Sequence, residues 1–260
     1  MVPVMTGYLN EIFDVINMGD NGYYFNDTSI NLFSQYIQIQ GEICFNQAYK
    51  DIALQDKYKI QILFPFDYPK KIPIVSELEN RIPSSADSHN NKNGDGFCLG
   101  VPGDIYAKIY KNSTFKYFIS EIVIPFLYAN TFYEKYKKYP WPTRPHFGAG
   151  LIEYYQTLFN LKNEELTKKF LYNIAFSKEI VKGHTQCPCG SGKKFRNCHR
   201  PLYTTLITFH SHKNIQKDVL HILKDDNIPD FDNLIKEKIY TKKWYKLYRT
   251  CLMQIIRHKK

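Results

Sequence analysis

The densest chemistry in this sequence lies in Cys187-Pro-Cys189-Gly-Ser-Gly192-Lys-Lys-Phe-Arg-Asn-Cys198-His199. Three thiols and an imidazole in one short stretch form the ligand set of a closed tetrahedral Zn²⁺ site, in which four protein groups leave no position for water. Cys187 and Cys189 can supply two thiolates from one tight turn. Gly190 and Gly192 relieve the backbone where it wraps closely around an ion, and Cys198 with His199 closes the shell. Lys193, Lys194 and Arg196 offset the negative charge of the thiolates. A closed shell predicts a structural ion: a folding staple for a small segment, or a docking knob for a partner.

The second candidate is a single cysteine. Asp87-Ser-His-Asn-Asn-Lys-Asn-Gly-Asp-Gly-Phe-Cys98-Leu-Gly100 is a polar, glycine-broken loop between strand-like and helical sequence. Burial cannot hold such a loop, so its flanking elements must. Cysteine nucleophiles are presented in this way, partly exposed beside backbone N–H groups and small residues that let an acyl group approach. An inert thiol is the competing reading.

The positioning elements follow from hydrophobic period. Residues 8–18 carry apolar side chains at helical spacing, stopped at Gly19. Asp27-Thr28 predicts the cap of a second short helix reaching Phe33. From Tyr36 to Ile43 the period becomes two, and it does so again from Lys57 to Leu63. Ile72 to Leu78 is a third strand candidate. Short strands with short connections predict an antiparallel meander, with Pro65, Pro69 and Pro73 confined to turns and strand starts. After Cys98, Asn112 or Ser113 can cap a helix carrying Phe115, Phe118, Ile119, Ile122 and Phe126. Pro125 should kink or split it. Pro140, Pro142 and Pro145 break the chain before a glycine-rich start to another helix. Residues 163–182 read as a polar amphipathic helix with Leu166, Phe170 and Ile174 on one face. Ile215, Val219 and Ile222 share a face further on. A last helix places Trp244, Leu247, Tyr248, Leu252 and Ile255 inward, with lysines and arginines opposite.

Composition narrows the class. With 21 Tyr and 18 Phe the chain can pack a core. Its formal net charge of +10 either invites an anionic partner or reflects lysine-rich composition alone. The basic, aromatic C-terminal helix keeps nucleic acid as an alternative partner, although its aromatics fall on the apolar stripe. Clustered cysteines without secretory signals point to metal and thiol chemistry in a reducing compartment. No basic-then-apolar leader is visible, and no apolar run approaches the ~20 residues of a membrane span. The expectation is a cytoplasmic protein without a membrane partner.

The residues around Cys98 resemble a known family. Phe64-Pro65, Tyr68-Pro69, Pro73 and Val75, then His89-Asn90, then Gly96-Phe97-Cys98-Leu99 are similar to the signature of ubiquitin-conjugating enzymes. In that family an asparagine eight residues before the cysteine stabilises the oxyanion, and Asn90 has this spacing. The chain departs from the signature in lacking a proline between His89 and Asn90, and its glycine sits one residue nearer the cysteine. Pro125-Phe-Leu-Tyr, Tyr133-Glu-Lys-Tyr and His146-Phe-Gly148-Ala-Gly150-Leu-Ile-Glu-Tyr154-Tyr155 sharpen the resemblance to bacterial ubiquitin-conjugating-like proteins of CBASS antiviral operons. It spans about residues 36–158. The resemblance implies an α+β fold, an antiparallel meander with flanking helices. It implies a transferase in which Cys98 carries a thioester, with Asn90, His89 and His146 as further site residues. His89 or His146 could favour ionisation, and Asn90, Asn91 or the backbone N–H groups of Gly96 to Leu99 could serve the oxyanion. The implied partners are a protein with a conjugatable C-terminus, either ubiquitin-like or a cGAS-like nucleotidyltransferase, and an activating enzyme.

The cysteine-rich string resembles the SEC-C zinc motif found at the C-terminus of the SecA translocase and in many bacterial proteins, with His199 in the last ligand place. The expected organisation is therefore a ubiquitin-conjugating-like domain (1–160), a helical linker (161–183), a SEC-C unit (184–202) and a basic helical tail (203–260). The alternative to acyl transfer is a non-catalytic zinc-containing scaffold, or a module binding nucleic acid or the ribosome.

Overall fold

Period-two alternation is realised as a four-stranded antiparallel meander in the order β1 (Tyr23–Leu32), β2 (Tyr36–Tyr49), β3 (Ile52–Pro65) and β4 (Ile74–Glu77). The computed structural model describes residues 2–20, 22–84, 88–90, 96–142, 144–145 and 147–225. The predicted C-terminal helix with Trp244 and its basic side lies outside the described residues, as do Asn91 and His146.

Alternate residues of the long strands, Ile37, Ile39, Ile43 and Phe45 on β2 and Tyr58, Ile60, Ile62 and Phe64 on β3, are buried in one core. Helices α1 (Val2–Met18) and α4 (Ile124–Tyr136) complete it with Ile12, Val15, Leu127 and Phe132. Burial of this apolar surface, at about 25 cal/mol per Å², is the main force holding the sheet to its helices. The other sheet face is polar: Gln61 Oε1 accepts from Gln38 and Gln40 at 2.8 Å each, and Lys57 pairs with Glu42 at 3.0 Å.

Residues 23–32 correct the sequence reading. The Asp27-Thr28 pair does not cap a helix. It sits where the β1–β2 register shifts between Asn26 and Ser29, with Asp27 at φ 46°. Gly41 faces this bulge, and a Cβ there would press on Thr28. Short polar residues that tolerate left-handed backbone serve a β-bulge as readily as a cap.

After the Cys98 loop come α2 (Pro102–Lys111), α3 (Phe115–Phe118), a π-helical turn (Ile119–Val123) and α4. The cap of α3 is Thr114, whose side chain accepts from Tyr117 N, while Asn112 Oδ1 holds Thr114. Pro125 lies in the first turn of α4. Its missing N–H and ring displace the regular i→i−4 ladder, and the wider π turn just before it absorbs the mismatch.

The chain divides into two units, Met1–Arg144 and Pro145–Lys260, a boundary earlier in the chain than the one expected at 160. In the second unit α5 (Phe147–Phe159), α6 (Glu164–Phe176) and α9 (His212–Asp225) pack together, joined by α7 (Lys178–Lys182) and α8 (Arg200–Phe209). Asn163 caps α6, and Ser177 ends it and caps α7. Residues 161–183 are more than a linker, because Phe170, Leu171 and Ile174 are fully buried. Ile215, Val219 and Ile222 share the expected buried face of α9. Asp218 accepts from Tyr155 Oη and pairs with His210 Nε2, each at 2.7 Å, tying α5, α9 and the end of α8.

Candidate functional site

The Cys/His string folds into a knuckle before it meets anything else. Gly183, in left-handed conformation, ends α7, and Cys187 N donates to Lys193 O at 2.7 Å. Gly190 and Gly192 (φ 78° and 74°) turn the chain between the Cys187/Cys189 pair and the Cys198/His199 pair. A 3₁₀ turn at Phe195–Asn197 then returns Cys198 and His199. The ligand atoms of Cys187, Cys189, Cys198 and His199 lie within 4.8 Å of one another.

The edges are close to those of a metal tetrahedron. His199 Nδ1 is 3.2 Å from both Cys187 Sγ and Cys198 Sγ, and Cys189 Sγ is 3.6 Å from Cys198 Sγ. Zn–S and Zn–N bond lengths of about 2.3 and 2.0 Å give tetrahedral edges of about 3.5–3.8 Å. A disulfide would need about 2.05 Å, so the thiols gather without bonding. His199 Nε2 meets Phe159 O at 2.8 Å, which leaves Nδ1 to serve as the ligand. Burial pushes the Cys187 thiol up. Burial raises Cys189 as well, but the Ser191 hydroxyl and N–H, with the neighbouring thiols, outweigh it and hold Cys189 below the ordinary thiol value. The residues present fit a four-coordinate metal site.

This knuckle is built into the core of the second unit. The His199 ring meets Phe159 and Phe170 edge-on at 6.0 and 5.1 Å, and the fully buried Phe195 packs on Phe170 and Tyr203. Sequence reasoning named the same four residues that the structure gathers. It missed the Phe159 carbonyl, a backbone group with no sequence signal of its own.

The Cys98 loop is held from β4. Phe97 N donates to Val75 O at 2.7 Å, and Cys98 N donates to His89 O at 2.7 Å. Asn90 and Phe97 form an isolated antiparallel bridge. Gly96 has φ 75°, and a Cβ there would collide with the Val75 carbonyl oxygen. Glycine is therefore required where the chain turns into the cysteine. Phe97 anchors the turn by stacking on Phe126 at 4.5 Å.

Cys98 is exposed, so reagents can reach it. Burial of the sulfur's inner side nevertheless pushes the thiol up, and the Gly100 N–H pulls it back only in part. Exposure governs access to the sulfur, and desolvation governs its charge. The backbone N–H groups of Phe97 and Cys98 are already spent on Val75 and His89. Asn90 Nδ2 donates to Ile82 O at 2.9 Å, which fixes its carboxamide beside the loop. His89, at φ 52°, places its ring edge-on to Tyr139 at 6.0 Å. The structure thus brings His89 and Asn90 to the cysteine loop through backbone pairing. His146 lies outside the described residues.

The SEC-C motif family matches residues 185–201, a stretch that contains all four ligand positions. No curated protein and no solved structure matches the chain. Among the described residues no helix is long and apolar enough to cross a membrane.

Proposed function

We propose that the first unit is a ubiquitin-conjugating-like acyl carrier of bacterial antiviral defence, and that Cys98 is its nucleophile. The observation that carries this reading is an exposed cysteine fixed by paired backbone at the end of an antiparallel meander, with Asn90 bridged to the residue before it. The Cys98 thiolate attacks the carbonyl of a partner's C-terminus, delivered as an activated acyl by an activating enzyme. The donor's leaving group departs as the S–C bond forms. An amine then attacks that thioester, the Cys98 thiolate leaves, and the amine's surplus proton passes to a base or to solvent. Asn90 donates to the oxyanion of the tetrahedral step, which is where such a donor acts. The C-terminus of a cGAS-like nucleotidyltransferase is the acyl group favoured by the sequence resemblance, ahead of a free ubiquitin-like protein.

The metal is Zn²⁺. Three thiolates and an imidazole at tetrahedral spacing are the ligands this ion prefers, and a closed shell gives it a structural task. Held by Cys187, Cys189, Cys198 and His199, it would staple the knuckle to the core of the second unit, where His199 already meets Phe159 and Phe170.

Co-expression with candidate C-terminal donors and an activating enzyme tests the carrier reading. Cys98→Ser should turn a thiol-labile adduct into one that survives reductant, because an oxygen ester replaces the thioester. Adduct formation that persists unchanged in Cys98→Ala removes the reading.

A further inference from the structure

We infer that Arg81 is the positioning residue of the Cys98 centre, acting through the Ile82 carbonyl that holds Asn90. The inference rests on the acyl-carrier reading for its consequence, but its geometry stands alone. The Arg81 guanidinium uses all five of its N–H donors. Nη1 and Nη2 fork onto Asp56 Oδ1 and Oδ2 at 3.0 and 2.6 Å, while Nε and Nη2 fork onto Glu134 Oε1 and Oε2 at 2.9 and 2.6 Å. The remaining N–H of Nη1 reaches Lys57 O at 3.0 Å. The plane lies over the Tyr58 ring at 4.3 Å. Asp56 also accepts from Thr131 Oγ1 at 2.6 Å, and Tyr58 Oη meets that same hydroxyl at 2.9 Å.

This arrangement clamps β3 to α4 and pins the chain just after β4 to both. On the backbone side, Glu77 bends around the turn: its carboxylate accepts from Glu79 N, Arg81 N and Ile82 N. The next residue, Ile82, is buried and its carbonyl receives Asn90 Nδ2. Asn90 bridges to Phe97, and His89 O takes the Cys98 N–H. Hydrogen bonds, together with the peptide links Arg81–Ile82 and His89–Asn90, thus connect a saturated guanidinium to the amide of the proposed nucleophile. Bidentate pairing on two carboxylates requires a planar fork, which lysine lacks.

The test compares Arg81→Lys, Arg81→Gln and the milder Glu134→Gln in the full chain. Deuterium exchange read by fragment mass spectrometry should show the Cys98 and Phe97 amides opening about ten- to a hundredfold faster in Arg81→Lys, with a smaller change in Glu134→Gln. The β2–β3 amides should keep their protection. Transfer from Cys98 to an amine should fall about tenfold or more in Arg81→Lys, and in an Asn90→Ala background the same change should add little, since both act on one contact. Unchanged Cys98 exchange in a folded Arg81→Lys protein overturns the inference, as does a transfer loss that adds fully to Asn90→Ala. If wild-type protein never forms a thioester, the carrier reading fails, and the exchange result alone still decides what Arg81 positions.

Discussion

Gly96→Ala should damage the Cys98 unit far more than a glycine substitution of the same backbone conformation elsewhere. Gly96 sits at φ 75°, where an alanine side chain adds about 1–2 kcal/mol of strain. Its Cβ would collide with the Val75 carbonyl oxygen and lie 2.8 Å from Ile74 Cγ2. That carbonyl accepts the Phe97 N–H, and the strand carrying it is held by its pairing to β3, so it cannot yield cheaply. Overpacking of this kind costs about 1–3 kcal/mol, which brings the expected loss to about 2–5 kcal/mol. Gly192 has φ 74° with no atom within 4 Å of its Cβ, so Gly192→Ala should show only the left-handed part, about 1–2 kcal/mol. Urea unfolding, with each variant read on the transition of its own unit, separates the two values. Cys98 alkylation in the folded protein should change in Gly96→Ala because the displaced turn carries the sulfur with it. Equal small losses at both glycines would refute the claim that close approach to β4 fixes the cysteine turn.

Four further outcomes follow from the site geometry. The Cys98 thiol lies above its ordinary value because the sulfur is desolvated, so its alkylation rate in the isolated protein should level off at a higher pH than that of a free thiol; a plateau at or below the free thiol's would contradict this. Asn90→Ala should slow transfer to an amine by about 10²-fold, the usual effect of losing one oxyanion donor, with much less change in thioester formation measured in single turnover. Elemental analysis should find one zinc per chain, and chelation should lower the helical circular dichroism of the second unit beyond residues 184–202, because Phe159, Phe170 and Phe195 surround the His199 ring and its knuckle; zinc retained after Cys187→Ser with Cys198→Ser counts against the ligand set. Burial raises the Asp56 carboxyl, but Arg81 and Thr131 outweigh it and hold the group below its ordinary value. Its stabilising effect is therefore present above about pH 4, the unfolded value, and is lost as pH falls through the folded one. Asp56→Asn should flatten that acid limb in urea titrations, and an unchanged slope would remove Arg81–Asp56 from the account of acid sensitivity.

Much of the sheet was legible because alternation from Tyr36 and from Lys57 has a single physical meaning for a half-buried strand. β1 was not, since Asp27-Thr28 is compatible with a cap and with a bulge, and only pairing to β2 across Gly41 decides between them. The clustering of Cys187, Cys189, Cys198 and His199 was legible because ligand chemistry restricts residue type and spacing together. Their setting was not: whether Phe170 belongs to a linker or a core depends on what Phe159 and His199 do in space. Cys98 stood out from its polar loop, but the use of its own N–H by His89, and of the Asn90 side chain by Ile82, depends on tertiary contacts. Arg81 gave no signal at all, being one cation among many until Asp56 and Glu134 meet it from different elements.

If Cys98 is the acyl carrier we propose, the acyl group rides on its sulfur. Intact-mass and peptide mass spectrometry of the protein, recovered under acid without reductant from cells holding its partner, measures this directly. The Cys98 peptide should bear the partner's C-terminal fragment at the mass of the two species less one water, released by hydroxylamine or thiol at neutral pH. An adduct attached to any other residue, or a partner-competent protein whose Cys98 peptide is always unmodified, would contradict it.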